Sequence, residues 1–116
     1  MKDILLVFMG GGIGASLRFL TSKSVKQILP SSPWIGTLLV NVIGSLIMIS
    51  LYRFYSEGSD EIKKFVQVGI LGGLTTFSSF SLEVFGLVEK GNLMEALLVL
   101  SLNIFFGIIV AIFIFR

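Results

Sequence analysis

The chain has 116 residues, of which 54% are hydrophobic and only 14% charged, and its net charge is +2. A soluble domain is about one quarter charged, so this composition defines an integral membrane protein and leaves almost nothing for a soluble domain. With no Cys and no His, disulfides, Cys- or His-based metal sites and imidazole acid–base chemistry are excluded, and so small a charge excludes a nucleic-acid partner.

Hydropathy divides the chain into four apolar runs, predicted as membrane spans over about residues 4–20, 34–55, 62–88 and 93–115. Together they make one transmembrane domain over residues 1–116. A charged start followed by an apolar stretch has the look of a secretory leader. None is expected, because the apolar character runs past any cleavage point and three further spans follow.

The first span carries Gly10, Gly11, Gly12, Gly14, Ala15 and Ser16. Gly10 with Gly14, and Gly11 with Ala15, are small residues four apart, the spacing that lets helix backbones approach closely in lipid. A dinucleotide fingerprint fails, since Leu17 stands where its third glycine belongs and no strand precedes the run. Arg18 lies one turn beyond Gly14, near the end of the span, with an amphipathic extension running towards Leu29. An arginine deep in a spanning helix costs about 2.5–3.5 kcal/mol on insertion scales. Two readings are open: snorkelling to the interface, or facing a water-filled vestibule where its charge concentrates anions. In the link that follows, Pro30 and Pro33 stop the helix, Ser31 and Ser32 can cap the next one, and Trp34 stands where an interfacial anchor belongs.

In the second span Thr37, Asn41 and Ser45 recur every four residues and form a polar stripe on one helix face. Asn41 alone reads as either a hydrogen bond to a neighbouring helix or a pore-lining amide. The stripe of three leans towards a polar pathway.

The third span holds the least ordinary stretch, ILGGLTTFSSFSLE over residues 70–83. Backbone that loosens at mid-membrane is tolerated only where protein buries it or where it lines a polar cavity. A broken helix building an ion site is therefore predicted. Gly72 and Gly73 are expected to relax the helix and free carbonyls, which suit a hard cation. Phe77 and Phe80 lie on similar sides of the helix beyond. Either they pack, or their positive ring edges attract a small anion, with Thr76, Ser78, Ser79, Ser81 and Asn41 as neutral donors. The turn over residues 89–92 leads to the fourth span, whose strongly polar interior residue is Asn103, with Gly107 one turn on.

Four spans put both termini on one side, with Lys2, Arg53, Lys63, Lys64 and Arg116; the other side carries Arg18, Lys23, Lys26 and Lys90. Five cations against four is a weak orientation signal. Insertion both ways up follows, and with it an antiparallel two-fold dimer whose third spans cross near Gly72, Gly73 and Thr75.

Three segments in order, one on each of the first three spans, are GGGIGASLRF at residues 10–19, GTLLVNVIGS at 36–45 and GGLTTFSSFSLE at 72–83. They resemble the signature segments of the Fluc, or CrcB, family of small bacterial fluoride channels, and the likeness covers the whole chain. The resemblance implies an all-α, four-helix membrane protein with a broken third helix, in the bacterial inner (cytoplasmic) membrane. It also implies a dual-topology antiparallel homodimer, surrounded by lipid, with two pores for passive fluoride export and a structural sodium ion at its centre. By the same resemblance Phe77 and Phe80 match the paired pore aromatics, Asn41 the pore asparagine and Arg18 the vestibule arginine. Ser78, Ser81 and Glu83 fall in the polar stretch beside the rings, and Gly72 and Thr75 match positions whose carbonyls hold the sodium. Asn103 and Val99 stand where the family has a serine or threonine track and a tyrosine, and Ser79 where threonine is usual.

A proton-coupled multidrug exporter of the same four-span type is the alternative. It needs a carboxylate in the first span, where only terminal Asp3 is acidic, whereas Glu83 lies late in the third. An enzyme is not expected, because no His, carboxylate or Lys is placed to activate the Ser and Thr residues, and no phosphate-binding loop is present.

Overall fold

A computed structural model describes residues 1–116. The helices are α1 (Lys2–Ile28), α2 (Ile35–Phe54), α3 (residues 60–74, wound as a π-helix over Lys63–Leu71), α4 (Phe77–Glu89) and α5 (Leu93–Phe115). Helices α3 and α4 follow one another as a single interrupted span, so four apolar segments of 27, 20, 30 and 23 residues are long enough to cross a membrane. At about 1.5 Å per residue the longest pieces reach roughly 40 Å, in keeping with a molecule 48 Å along its greatest extent. Four helical segments able to span a membrane follow one another as expected, and α1 absorbs the amphipathic extension as one continuous helix.

Local chemistry sets the ends of the helices. Pro30 and Pro33 cannot donate backbone hydrogen bonds and bias the preceding residue away from helix, so α1 stops at Ile28. At the start of α3 the Ser59 hydroxyl accepts from the Ile62 amide at 3.3 Å, with Asp60 and Glu61 against the positive end of the helix. At the end of α4 the Gly91 amide donates to the Val88 carbonyl and the Asn92 amide to the Leu87 carbonyl. This reversal needs a left-handed residue, and Gly91 supplies it with φ 78°.

Helix α1 meets α3 through glycine on both sides. A Cβ on Gly10 would lie 2.3 Å from the Phe65 carbonyl oxygen, one on Gly14 2.0 Å from that of Ile70, and one on Gly73 2.6 Å from that of Gly11. The small-residue spacing of the first span is thus a packing face, matched on α3 by Gly69 and Gly73. Ion pairs from Lys2 to Glu61 and from Lys64 to Asp3 (2.9 Å) join the same two helices at the terminal side of the molecule, and Lys64 also pairs with Asp60 one turn back on α3 (3.0 Å).

The break falls near the middle of the span, as expected, but not at the glycines. Gly72 and Gly73 remain helical, and the interruption falls at Thr75 (φ −82°, ψ 150°) and Thr76 (φ −151°, ψ 126°). Gly73 is needed for contact with α1, whereas two β-branched residues favour extended backbone. The Thr76 hydroxyl then caps α4 by accepting from the Ser79 amide at 3.1 Å. Only 14 of the 116 residues are buried, and a small core of Val40, Leu71 and Leu74 sits between α2 and α3. Most large apolar side chains point outward, as they do where the solvent is lipid.

Gly44 of α2 faces the break directly: a Cβ there would stand 2.3 Å from the Thr75 side-chain methyl. Gly44→Ala is expected to lower stability by about 1–3 kcal/mol through overpacking, read as a lower unfolding temperature of the detergent-solubilised protein. Gly86→Ala, with no atom within 4 Å of the added carbon, serves as the control and should leave that temperature unchanged or slightly higher.

Candidate functional site

The interruption at Thr75–Thr76 exposes backbone groups that a continuous helix would pair internally, and the surrounding helices supply replacements. Asn41 on α2 holds the Thr76 peptide from both ends: its Oδ1 accepts from the Thr76 amide at 2.7 Å, and its Nδ2 donates to the Thr76 carbonyl at 3.0 Å. The second Nδ2 proton goes to Oδ1 of Asn103 on α5 at 2.9 Å, and Asn103 Nδ2 donates in turn to the Val99 carbonyl at 2.9 Å. A backbone amide can only donate, so Thr76 fixes the orientation of Asn41, and Asn41 fixes that of Asn103. One proton on Asn103 Nδ2 is left without a protein acceptor.

From the α1 side, Arg18 Nε donates to the Gly73 carbonyl at 3.0 Å and a terminal guanidinium nitrogen lies 3.4 Å from Ser79 Oγ. Thr75 turns inward, its amide and hydroxyl both donating to the Leu71 carbonyl. Because the Thr76 amide is spent on Asn41, the Gly72 carbonyl loses its i+4 donor. The Thr75 carbonyl accepts from no group in the chain.

An open cavity of about 280 Å³ lies beside the break, lined by Asn41, Ser45, Thr75, Thr76, Phe77, Phe80, Asn103 and Ile104. Asn41, Phe77, Phe80 and Asn103 therefore come together, from three different helices. The two rings meet edge to face, with centroids 4.8 Å apart and planes at 88°. Phe80 is 5% exposed and Phe77 77% exposed, so packing within this chain accounts for the first ring and not for the second. No Lys, Arg, Asp or Glu lines the cavity. Its polarity comes from amides, hydroxyls and ring edges alone.

The other singled-out residues lie around it. Ser78 shares a hydrogen bond with the Thr76 hydroxyl at 3.2 Å, and the Ser81 hydroxyl donates back to the Phe77 carbonyl at 2.9 Å. Glu83 stands further along α4, where Thr37 donates to its Oε1 at 2.6 Å while Oε2 is buried without a partner. A second cavity, of about 310 Å³, opens there towards Trp34, Lys90 and Glu95, and the Trp34 indole donates to Glu95 at 2.9 Å. Thr37 and Ser45 were visible as part of the polar stripe on α2, though not their destinations. Nothing in the local pattern announced the pairing of Trp34 with Glu95.

Three continuous apolar helical spans around a fourth that is broken, with the loosened backbone lining a polar cavity, define a small membrane transport protein of the all-helical class. The chain belongs to the family described as "CrcB-like protein, Camphor Resistance (CrcB)", which it matches over residues 5–115. It is 47% identical over 106 residues, 90% of this chain and 86% of the relative, to the protein named "Fluoride-specific ion channel FluC" of Shewanella woodyi. Proteins of the same name from Shewanella sediminis and Shewanella piezotolerans are 46% and 45% identical over the same shares of each chain.

Proposed function

We infer that this chain is a fluoride channel that lets the ion leave the cell passively, down its gradient. The observation that carries the reading is kinship: 47% identity across 90% of the chain to a protein named a fluoride-specific ion channel. The chemistry of the cavity is in keeping with it. Neutral donors and ring edges attract an anion without the grip of a fixed cation, and conduction needs binding weak enough to release. The protein is not an enzyme. The multidrug-exporter alternative is not favoured, since the one acid of α1, Asp3, is paired with Lys64 at the end of the span.

Two copies pair head to tail in this reading, in a bacterial cytoplasmic membrane, with the exposed apolar side chains against lipid or the partner. The outward Phe77 and the near balance of Lys and Arg on the two sides support it. The Gly72 and Thr75 carbonyls, free of intrahelical partners, are of the right chemistry to hold a sodium ion. A hard cation takes about six oxygens, more than one copy offers, and no cluster of acidic side chains competes for the role. Bound there, the ion would neutralise carbonyl dipoles and join the copies.

Liposomes containing only this protein should release fluoride and retain chloride, with no imposed proton gradient. Absence of fluoride release, or equal chloride release, rejects the channel reading. A C-terminal tag found on only one face of the membrane rejects the dual orientation.

A further inference from the structure

We propose that Arg18 is a positioning residue: it ties the two halves of the broken span together, and so sets where the first turn of α4, with Phe77 and Phe80, stands against the end of α3. The inference rests on the channel reading and adds a role for a residue whose charge alone would suggest an anion attractor.

The backbone ladder is interrupted at Thr75–Thr76, so two extended residues are the covalent link between α3 and α4. Such a link can swing unless side chains fix it. Asn41 holds the Thr76 peptide from the α2 side. Arg18 holds the opposite side and spans the gap itself, with Nε on the last turn of α3 at Gly73 and the guanidinium end on the first turn of α4 at Ser79. Its own base is rigid, because α1 touches α3 backbone to backbone at Gly10, Gly14 and Gly73. A planar fork of donors can bridge two acceptors with one fixed geometry, which a lysine ammonium on a flexible stem cannot. A cation at the carbonyl end of α3 also meets the negative end of that helix.

The two roles predict different kinetics. A charge that concentrates anions matters at low fluoride, fades as the pore saturates or salt rises, and is preserved in Arg18→Lys. A tie that places the rings governs the maximum rate and is lost in Arg18→Lys. The test is fluoride efflux from liposomes across concentrations spanning half-saturation, for wild type, Arg18→Lys, Arg18→Leu and Ser79→Ala. Both Arg18 variants should lose about tenfold or more of the maximum rate, the scale of a hydrogen bond to a charged group, with half-saturation unchanged. Ser79→Ala, which keeps the charge and removes the far anchor, should lose about twofold to fivefold, as suits a longer bond. Wild-type rates in Arg18→Lys, or a deficit that disappears at saturating fluoride, overturn the proposal. Should neither Arg18 variant fold, Ser79→Ala decides: a reduced maximum upholds the tie and an unchanged one overturns it. Wild-type liposomes that release no fluoride would overturn the channel reading together with this one.

Discussion

Replacing Asn41 with Asp should abolish fluoride release, by at least about 100-fold. The amide nitrogen of Asn41 donates to the Thr76 carbonyl and to Asn103 Oδ1, while its oxygen accepts from the Thr76 amide. A carboxylate keeps the last bond and turns the other two into contacts between oxygens. Asn103 could turn its amide to answer it, but only by giving up its bond to the Val99 carbonyl; the Thr76 carbonyl has no such freedom. Leaving a part-buried charge short of two of its three partners costs up to about 3–5 kcal/mol, or roughly 100- to 5,000-fold in the population of the competent arrangement. The charge would also line the cavity that holds Phe77 and Phe80 and repel any anion entering it. Efflux from liposomes at neutral pH is the measurement, with the size-exclusion profile confirming a folded protein. Undiminished efflux would mean that the cavity beside the break is not the anion's route.

The balance between what was legible and what was not follows the range of each interaction. Span positions depend on runs of like residues, and α1, α2 and α5 fall where hydropathy put them. The polar stripe of Thr37, Asn41 and Ser45 and the close-packing pair Gly10 and Gly14 are also local spacings, and both appear in the fold as faces. The break was legible in kind and in its place near the middle of the span, but not in the residues that make it. Gly72 and Gly73 look like helix breakers in isolation; only the approach of α1 reveals that Gly73 is small because the Gly11 carbonyl is there. With that role taken, the weak point moves to the two threonines.

The partners of Arg18, Glu83 and Trp34 were not legible, because each lies on a different helix and no periodicity links them. The position of Arg18 in the chain suits either an interfacial or a vestibular place, and the structure gives its guanidinium specific acceptors at the break. The same holds for Asn41. Its side chain joins α2 to the break and to α5 and also lines the cavity, so an interhelical bond leaves room for a place beside a pathway. Sequence spacing could not separate these readings since the geometry does not make them exclusive.

Phe77 and Phe80 permit a prediction that separates packing from passage. Phe77→Ile and Phe80→Ile should each reduce fluoride efflux about tenfold, the upper scale of an aromatic edge contact, and because the two rings touch the double variant should depart from the product of the two losses. Their effects on stability should differ. Phe80 is 5% exposed and packed by its own chain, whereas Phe77 is 77% exposed. Phe80→Ile should therefore destabilise the fold of each copy by about 1–3 kcal/mol through lost contacts, and Phe77→Ile by no more than about 0.5 kcal/mol, since its ring is open within a single copy. Were the rings only packing elements, efflux would follow stability, and Phe77→Ile would conduct as wild type does. A variant that keeps its stability and loses its flux points to the ring edge itself. Isoleucine has comparable apolar bulk but no quadrupole, so it offers a passing anion no positive rim. Parallel measurements of unfolding temperature and fluoride efflux on the two single variants therefore decide the matter, and Phe77→Ile is the more telling of the two.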